Sequence, residues 1–165
     1  MEDDEKYDYE VLEYIKDHPL PNNKEDMSPE QYVIRSVIDD YIHDLRYYIN
    51  KLYFELSLYI FCQDEYDAFG ICDHVNNILY FHNYIENLMY CYFYENSPIF
   101  KYCNIDKIFD EEFNFHNHDY CNDTNYTLDK YKDLRFDFKD NIYQMLKEDA
   151  RTEEAKKYFY ERKLD

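Results

Sequence analysis

The chain has 165 residues, 37 acidic against 18 basic side chains and a formal net charge of −19. Its aromatic share is 21 %, with 22 Tyr and 12 Phe beside one Gly and four Pro; this excludes a disordered chain, which lacks the apolar side chains that offset ordering entropy. It equally excludes collagen-like and glycine-loop-dependent proteins, while the charge argues against direct nucleic-acid or anionic-membrane binding, because phosphate contacts need clustered Lys and Arg.

Residues 7–17 are predicted to form a short helix with Val11 and Ile15 on one face, stopped at His18-Pro19, where the residue before proline is pushed out of the helical region. Pro19-Leu20-Pro21-Asn22-Asn23 reads as a linker. Ser28-Pro29-Glu30-Gln31 then carries an N-cap, a proline at the first helical position and an N3 Gln for a capping box, with Met27 and Tyr32 at the staple positions. Ile34, Ile38, Tyr41, Leu45, Tyr48 and Leu52 follow at three- and four-residue steps, widened by Ile42, Ile49 and Leu56; this predicts a long amphipathic helix over 29–61.

The natural break is 63–70, with Gly70 suited to a left-handed helix end. Ile71, Val75, Ile78, His82, Ile85, Met89 and Tyr92 predict a second long helix, ending at Asn96-Ser97-Pro98. Shorter helices are expected through Tyr102 and, from Asn104 or Asp106, through Phe113. Residues 114–127 are rich in turn formers and read as the longest loop. Thr127 is expected to cap a last core helix carrying Tyr131, Leu134, Phe138, Ile142, Met145 and Leu146, before a charged end with Tyr158-Phe159-Tyr160 as its docking point.

Two long helices joined by a short break predict an all-α fold, an irregular helical bundle built on an antiparallel pair. The expected organisation is one helical domain over 1–165: an acidic arm and linker (1–27), a core (28–146) and a charged C-terminal helix (147–165). No basic n-region with a following apolar stretch opens the chain, and the nearest approach to a membrane span, Leu56 to Cys62, is far short of the ~18 residues needed. Five cysteines, an odd number without secretory context, point to reduced thiols and a cytoplasmic or nuclear location rather than secretion.

The charge is unevenly placed: residues 1–30 hold 11 acids and 3 bases, and residues 31–100 hold 10 and 3. Asp39, Asp40, Asp44 and Glu55 populate the polar face of the first long helix, and Arg35, Arg46 and Lys51 are the sole bases between residues 31 and 100. An ordinary solvated face usually carries compensating i, i+4 pairs, so this row reads either as plain solvation or as a surface for a basic partner. Tyr47-Tyr48 and Tyr90 to Tyr94 add aromatic surface of the kind enriched at interface hot spots.

His116-x-His118 with Cys121, flanked by Asp119 and Asp123, is the one metal-like group, and Cys103 or Cys91 would supply a fourth zinc ligand. No CxxC or HExxH accompanies it, so a polar loop with solvated histidines is the competing reading. His82, on the apolar stripe, reads as a core histidine bonded to a neighbour, with Glu86 one turn on as a candidate partner. Phosphate-loop, GxSxG, HExxH and kinase signatures are all missing from the sequence.

These features favour a non-enzymatic acidic helical protein that binds and inhibits or redirects a partner protein with a basic or nucleic-acid-binding surface. The bias toward Asp, Asn, Ile and Tyr fits an AT-rich coding sequence and, by association alone, a viral or phage host-interaction factor. Two alternatives stand beside it: a Bcl-2-like groove-binding modulator of apoptosis or signalling, taking an amphipathic helix between the two long helices, and a metal-dependent enzyme centred on His116 and His118.

Overall fold

Among its described residues, the computed structural model has six α-helices: α1 (Glu2–Asp17), α2 (Pro29–Phe61), α3 (Ala68–Tyr92), α4 (Ile105–Asp119), α5 (Lys139–Glu148) and α6 (Glu153–Glu161). The structure describes residues 2–92, 96–119 and 126–161, and the side chains of 10–90, 96–117 and 126–160; no strand occurs among them.

Local capping sets where α2 begins. The Ser28 hydroxyl accepts from the Gln31 amide at 3.2 Å, and Gln31 Oε1 accepts from the Ser28 amide at 2.9 Å, closing the capping box with Pro29 at the first helical position. Such a cap contributes about 1 kcal/mol. The helix runs 33 residues to Phe61 with the predicted bounds, and Ile34, Ile38, Tyr41, Leu45, Ile49, Leu52 and Leu56 are buried along it. Tyr32 lies half exposed below the Lys24 ammonium, 5.8 Å from its ring centroid.

The connection to α3 differs from expectation. Gly70 has a negative φ and lies inside the first turn of α3, where its amide donates to Asp67 Oδ1 at 2.9 Å. Asp67 therefore caps α3. Glycine's role at position 70 is close packing: a Cβ there would meet Tyr66 Cβ and Cδ1 at 3.1 Å. The left-handed backbone falls instead at Asn96, with φ 63°, after α3.

Contacts along the pair give its direction. The Tyr41 hydroxyl donates to the Leu88 carbonyl at 2.7 Å, Tyr48 stacks on Tyr84, and His74 donates to Glu55 at 2.6 Å. Numbers rise on α2 as they fall on α3, so the two long helices are antiparallel. The seam between them is filled by the buried α2 stripe and by Ile71, Val75, Ile78 and Ile85 from α3. The second face of α2 packs on α4, while α5 and α6 pack on α3, and α1 lies against α3 and the turn Pro98–Lys101. One continuous buried cluster joins all six helices.

Two predicted segments changed form. Residues 114–119 were expected in a loop but continue α4, which Asn104 caps through a 3.1 Å bond from the Lys107 amide. Ile105, Ile108, Phe109, Phe113 and His116 are buried at helical spacing, and that stripe outweighs the turn formers on the exposed side. Conversely, the expected continuous helix through Tyr131 and Phe138 is two 3₁₀ turns, Asp129–Tyr131 and Leu134–Phe136, with α5 starting only at Lys139. Side chains from the long helices occupy the carbonyls a helix would need. The Tyr53 hydroxyl donates toward those of Tyr131 and Lys132 at 3.3 and 3.1 Å, and His82 Nε2–H donates to that of Leu134 at 3.0 Å. Helix α6 docks as expected, with Tyr158 and Phe159 buried and Tyr160 half exposed.

Candidate functional site

The fold divides the four predicted acids of α2 into three groups. Asp39 is held by Arg35, whose Nε lies 3.1 Å away one helical turn earlier. Asp40 and Asp44 are exposed one turn apart, and no ion pair reaches either among the described residues. Glu55 leaves the row altogether. It is turned into the α2–α3 seam at 15 % exposure, accepting from His74 Nδ1 at 2.6 Å and from Asn77 Nδ2 at 3.3 Å, with the Tyr66 ring 4.3 Å from that of His74. An acid this covered supports the helix pair and offers no charge to a partner.

Tyr47 and Tyr48 extend the ridge of Asp40 and Asp44. Tyr47 is 49 % exposed, stands edge-on to Tyr48 at 5.2 Å, and has the Lys51 ammonium 5.4 Å from its ring centroid. Tyr48 leans on Tyr84 at 4.1 Å and on Phe81 at 6.1 Å, which brings in α3. Tyr80 completes the group at 58 % exposure, 6.3 Å from Tyr84. A hydrogen bond with Tyr84 is the main cause holding the Tyr48 phenol above its ordinary range, followed by burial and by the negative field of Asp44. That last contribution places the Asp44 charge within electrostatic reach of the aromatic group. The predictive signal for Tyr80 and Tyr84 was their i, i+4 spacing on α3, opposite Tyr48 once the pair is antiparallel; without that register it pointed nowhere.

Chemically, the face combines uncompensated carboxylates with open π surfaces. Cations are attracted to both. The protein already uses the same chemistry internally, placing Lys51 over Tyr47, Arg35 over Tyr102 and Arg151 over Tyr126.

The predicted metal group falls partly outside the described residues. Cys121 lies there, as do the side chains of Cys91, His118 and Asp119. His116 is on α4 at 2 % exposure, with Nε2 3.1 Å from Asn50 Nδ2 and its ring against Phe54 and Phe115. Cys103 is buried, and burial pushes its thiol up to about 11, away from the thiolate that binds zinc. Among the described residues, no three His, Cys, Asp or Glu side chains are grouped to hold a metal ion. Nor is any described helix long and apolar enough to cross a membrane. Of the tyrosine-rich stretch 90–94, Tyr90 is 79 % exposed and the remaining side chains lie outside the described set.

No protein-family model matches the chain, and comparisons with curated proteins and with solved structures return no match.

Proposed function

We propose that this chain is a non-enzymatic binding protein that engages a partner protein through a basic surface and thereby inhibits or redirects it. The observation that supports this reading is the pairing of exposed, uncompensated Asp40 and Asp44 with the Tyr47, Tyr48, Tyr80 and Tyr84 group on one face of the α2–α3 pair. The net charge of −19 adds long-range attraction toward a basic partner and raises its encounter rate. A nucleic-acid-binding protein has the required surface, which fits a viral or phage factor acting on host machinery.

The test is affinity capture from lysate at low and high salt. Wild type is compared with Asp40→Asn/Asp44→Asn, with Tyr80→Ala and with Asp39→Asn. Partners should be retained at low salt and released at high salt, lost in the first two variants, and largely kept by Asp39→Asn because Arg35 already neutralises that acid. The same partners recovered by every variant at both salts would contradict the reading.

A second reading, capture of an amphipathic helix, draws on one observation. An apolar cleft of about 420 Å³ lies between α1 and the start of α2, lined by Val11, Tyr14, Val33 and Ile34 with Glu10 and Glu30 at its rim. Binding there would respond little to salt.

A further inference from the structure

A cavity of about 510 Å³ lies where the 19–22 linker, the turn Lys24–Asp26, the first turns of α2 and the turn Pro98–Lys101 meet. Lys24, Arg35 and Lys101 line it, from three separate segments of the chain, against the single carboxylate of Asp39. This local excess of two positive charges stands out in a molecule of net charge −19. Three other cavities balance or reverse the sign: Glu86 offsets Arg135 in one, Glu148 and Asp149 offset Lys130 and Arg151 in the next, and the third holds Glu10 and Glu30 without a base. Gathering like charges costs energy; Asp39 offsets Arg35, whereas Lys24 and Lys101 are exposed and form no ion pair among the described residues.

The walls have a second character. Leu20, Pro19, Pro21 and Met27 present apolar surface beside the Tyr102 ring. Tyr102 is fixed from two sides: its hydroxyl accepts from the Leu20 amide at 2.8 Å, and the Arg35 guanidinium lies 5.4 Å from its ring centroid. Cations at one wall and a held apolar floor at the other form a preorganised site, in the size range of small-ligand pockets.

We infer that this cavity is a binding site for a small organic phosphate, a dianionic phosphate monoester on a ring-containing body. The phosphate meets Lys24, Arg35 and Lys101, whose excess charge matches the −1.5 to −2 of a monoester near neutral pH. The ring lies on Leu20, the prolines and Tyr102. A cavity of this volume is larger than inorganic phosphate alone fills, which is why an organic body belongs to the ligand. The site is separate from the Asp40–Asp44 face and does not depend on it.

Phenyl phosphate is the probe, followed by amide chemical-shift titration of the full chain, with inorganic phosphate and phenol as the two halves of the ligand. The expected result is saturable shifts at Lys24, Lys101 and Tyr102, with an affinity for the intact ester about tenfold above that for either half alone. Lys24→Ala/Lys101→Ala, two exposed changes that leave the spectrum elsewhere intact, should weaken phenyl phosphate binding about tenfold and flatten its salt dependence. Absence of saturable shifts at these residues, inorganic phosphate binding as tightly as the ester, or undiminished binding by the double variant would each overturn the inference.

Discussion

Tyr53, Tyr59 and Tyr131 are fully or almost fully buried, and each has its phenol hydrogen committed inside the protein: Tyr53 to the carbonyls of Tyr131 and Lys132, Tyr59 to the carbonyl of Leu146, and Tyr131 to the Asp149 carboxylate. Tyr59→Phe keeps the ring and leaves a buried carbonyl without its donor, so it should cost about 1–2 kcal/mol in urea denaturation. Ser28→Ala removes one half of the α2 capping box and should cost about 1 kcal/mol by the same measurement. These residues differ in how legible they are. A cap is local, and Ser28 with Gln31 announced it. A tyrosine suits core or surface equally well, so only tertiary contact separates the buried Tyr53 from the exposed Tyr80. Glu55 was misleading for a related reason: helical spacing places it near the acidic row, while His74, brought in by the antiparallel register, draws it inward.

At the scale of elements, the two long helices were legible because their stripes are long and the start of α2 is capped, while the start of α3 was misplaced at Gly70; the other segments that failed are those where long-range contact overrides local pattern. α4 extends past Phe113 because His116 continues the buried stripe, a role that its polar character concealed. The 128–138 segment reads as helix by spacing, yet Tyr53 and His82 take its carbonyls, and no local pattern reveals partners so far along the chain. Gln63 is the clearest case. Its buried amide donates from Nε2 to the carbonyls of Tyr59 and Asp149 at 3.2 and 3.3 Å, while Oε1 accepts from the amides of Arg151 and Thr152 at 2.8 and 3.1 Å. One side chain thereby ties the end of α2 to the α5–α6 connection. Gln63→Ala strands several buried groups at once and should cost about 3 kcal/mol. Hydrogen exchange should speed most at the Arg151 and Thr152 amides; unchanged protection there would contradict this role. The α2–α4 link from Arg46 to Glu111 at 2.9 Å is solvent-screened, and Arg46→Gln should cost under about 1 kcal/mol.

For the molecule as a whole, the aromatic core sets an alkaline limit. Burial raises the phenols of Tyr53, Tyr59 and Tyr131 above their ordinary range, with the hydrogen bond to Asp149 adding at Tyr131. The unfolded chain therefore releases these protons first as the pH passes about 10. Stability is intact below that point and falls above it, by about 1.4 kcal/mol per pH unit for each such tyrosine. Tyrosinate absorbance should rise in two stages, exposed rings first and these three together with the loss of helical circular dichroism. Ionisation of every tyrosine before the helix signal changes would contradict the packing.

The proposed partner binding draws on the charge of the whole molecule, −19, and on the aromatic face beside Asp40 and Asp44. Its most direct test is fluorescence polarisation of a labelled Lys/Arg-rich peptide, titrated with wild type and with Asp40→Asn/Asp44→Asn at low and high salt. The wild type should bind with an affinity that falls steeply as salt rises, and the double variant should bind about fivefold more weakly at low salt. Equal affinities for the two proteins, or binding indifferent to salt, would contradict the account.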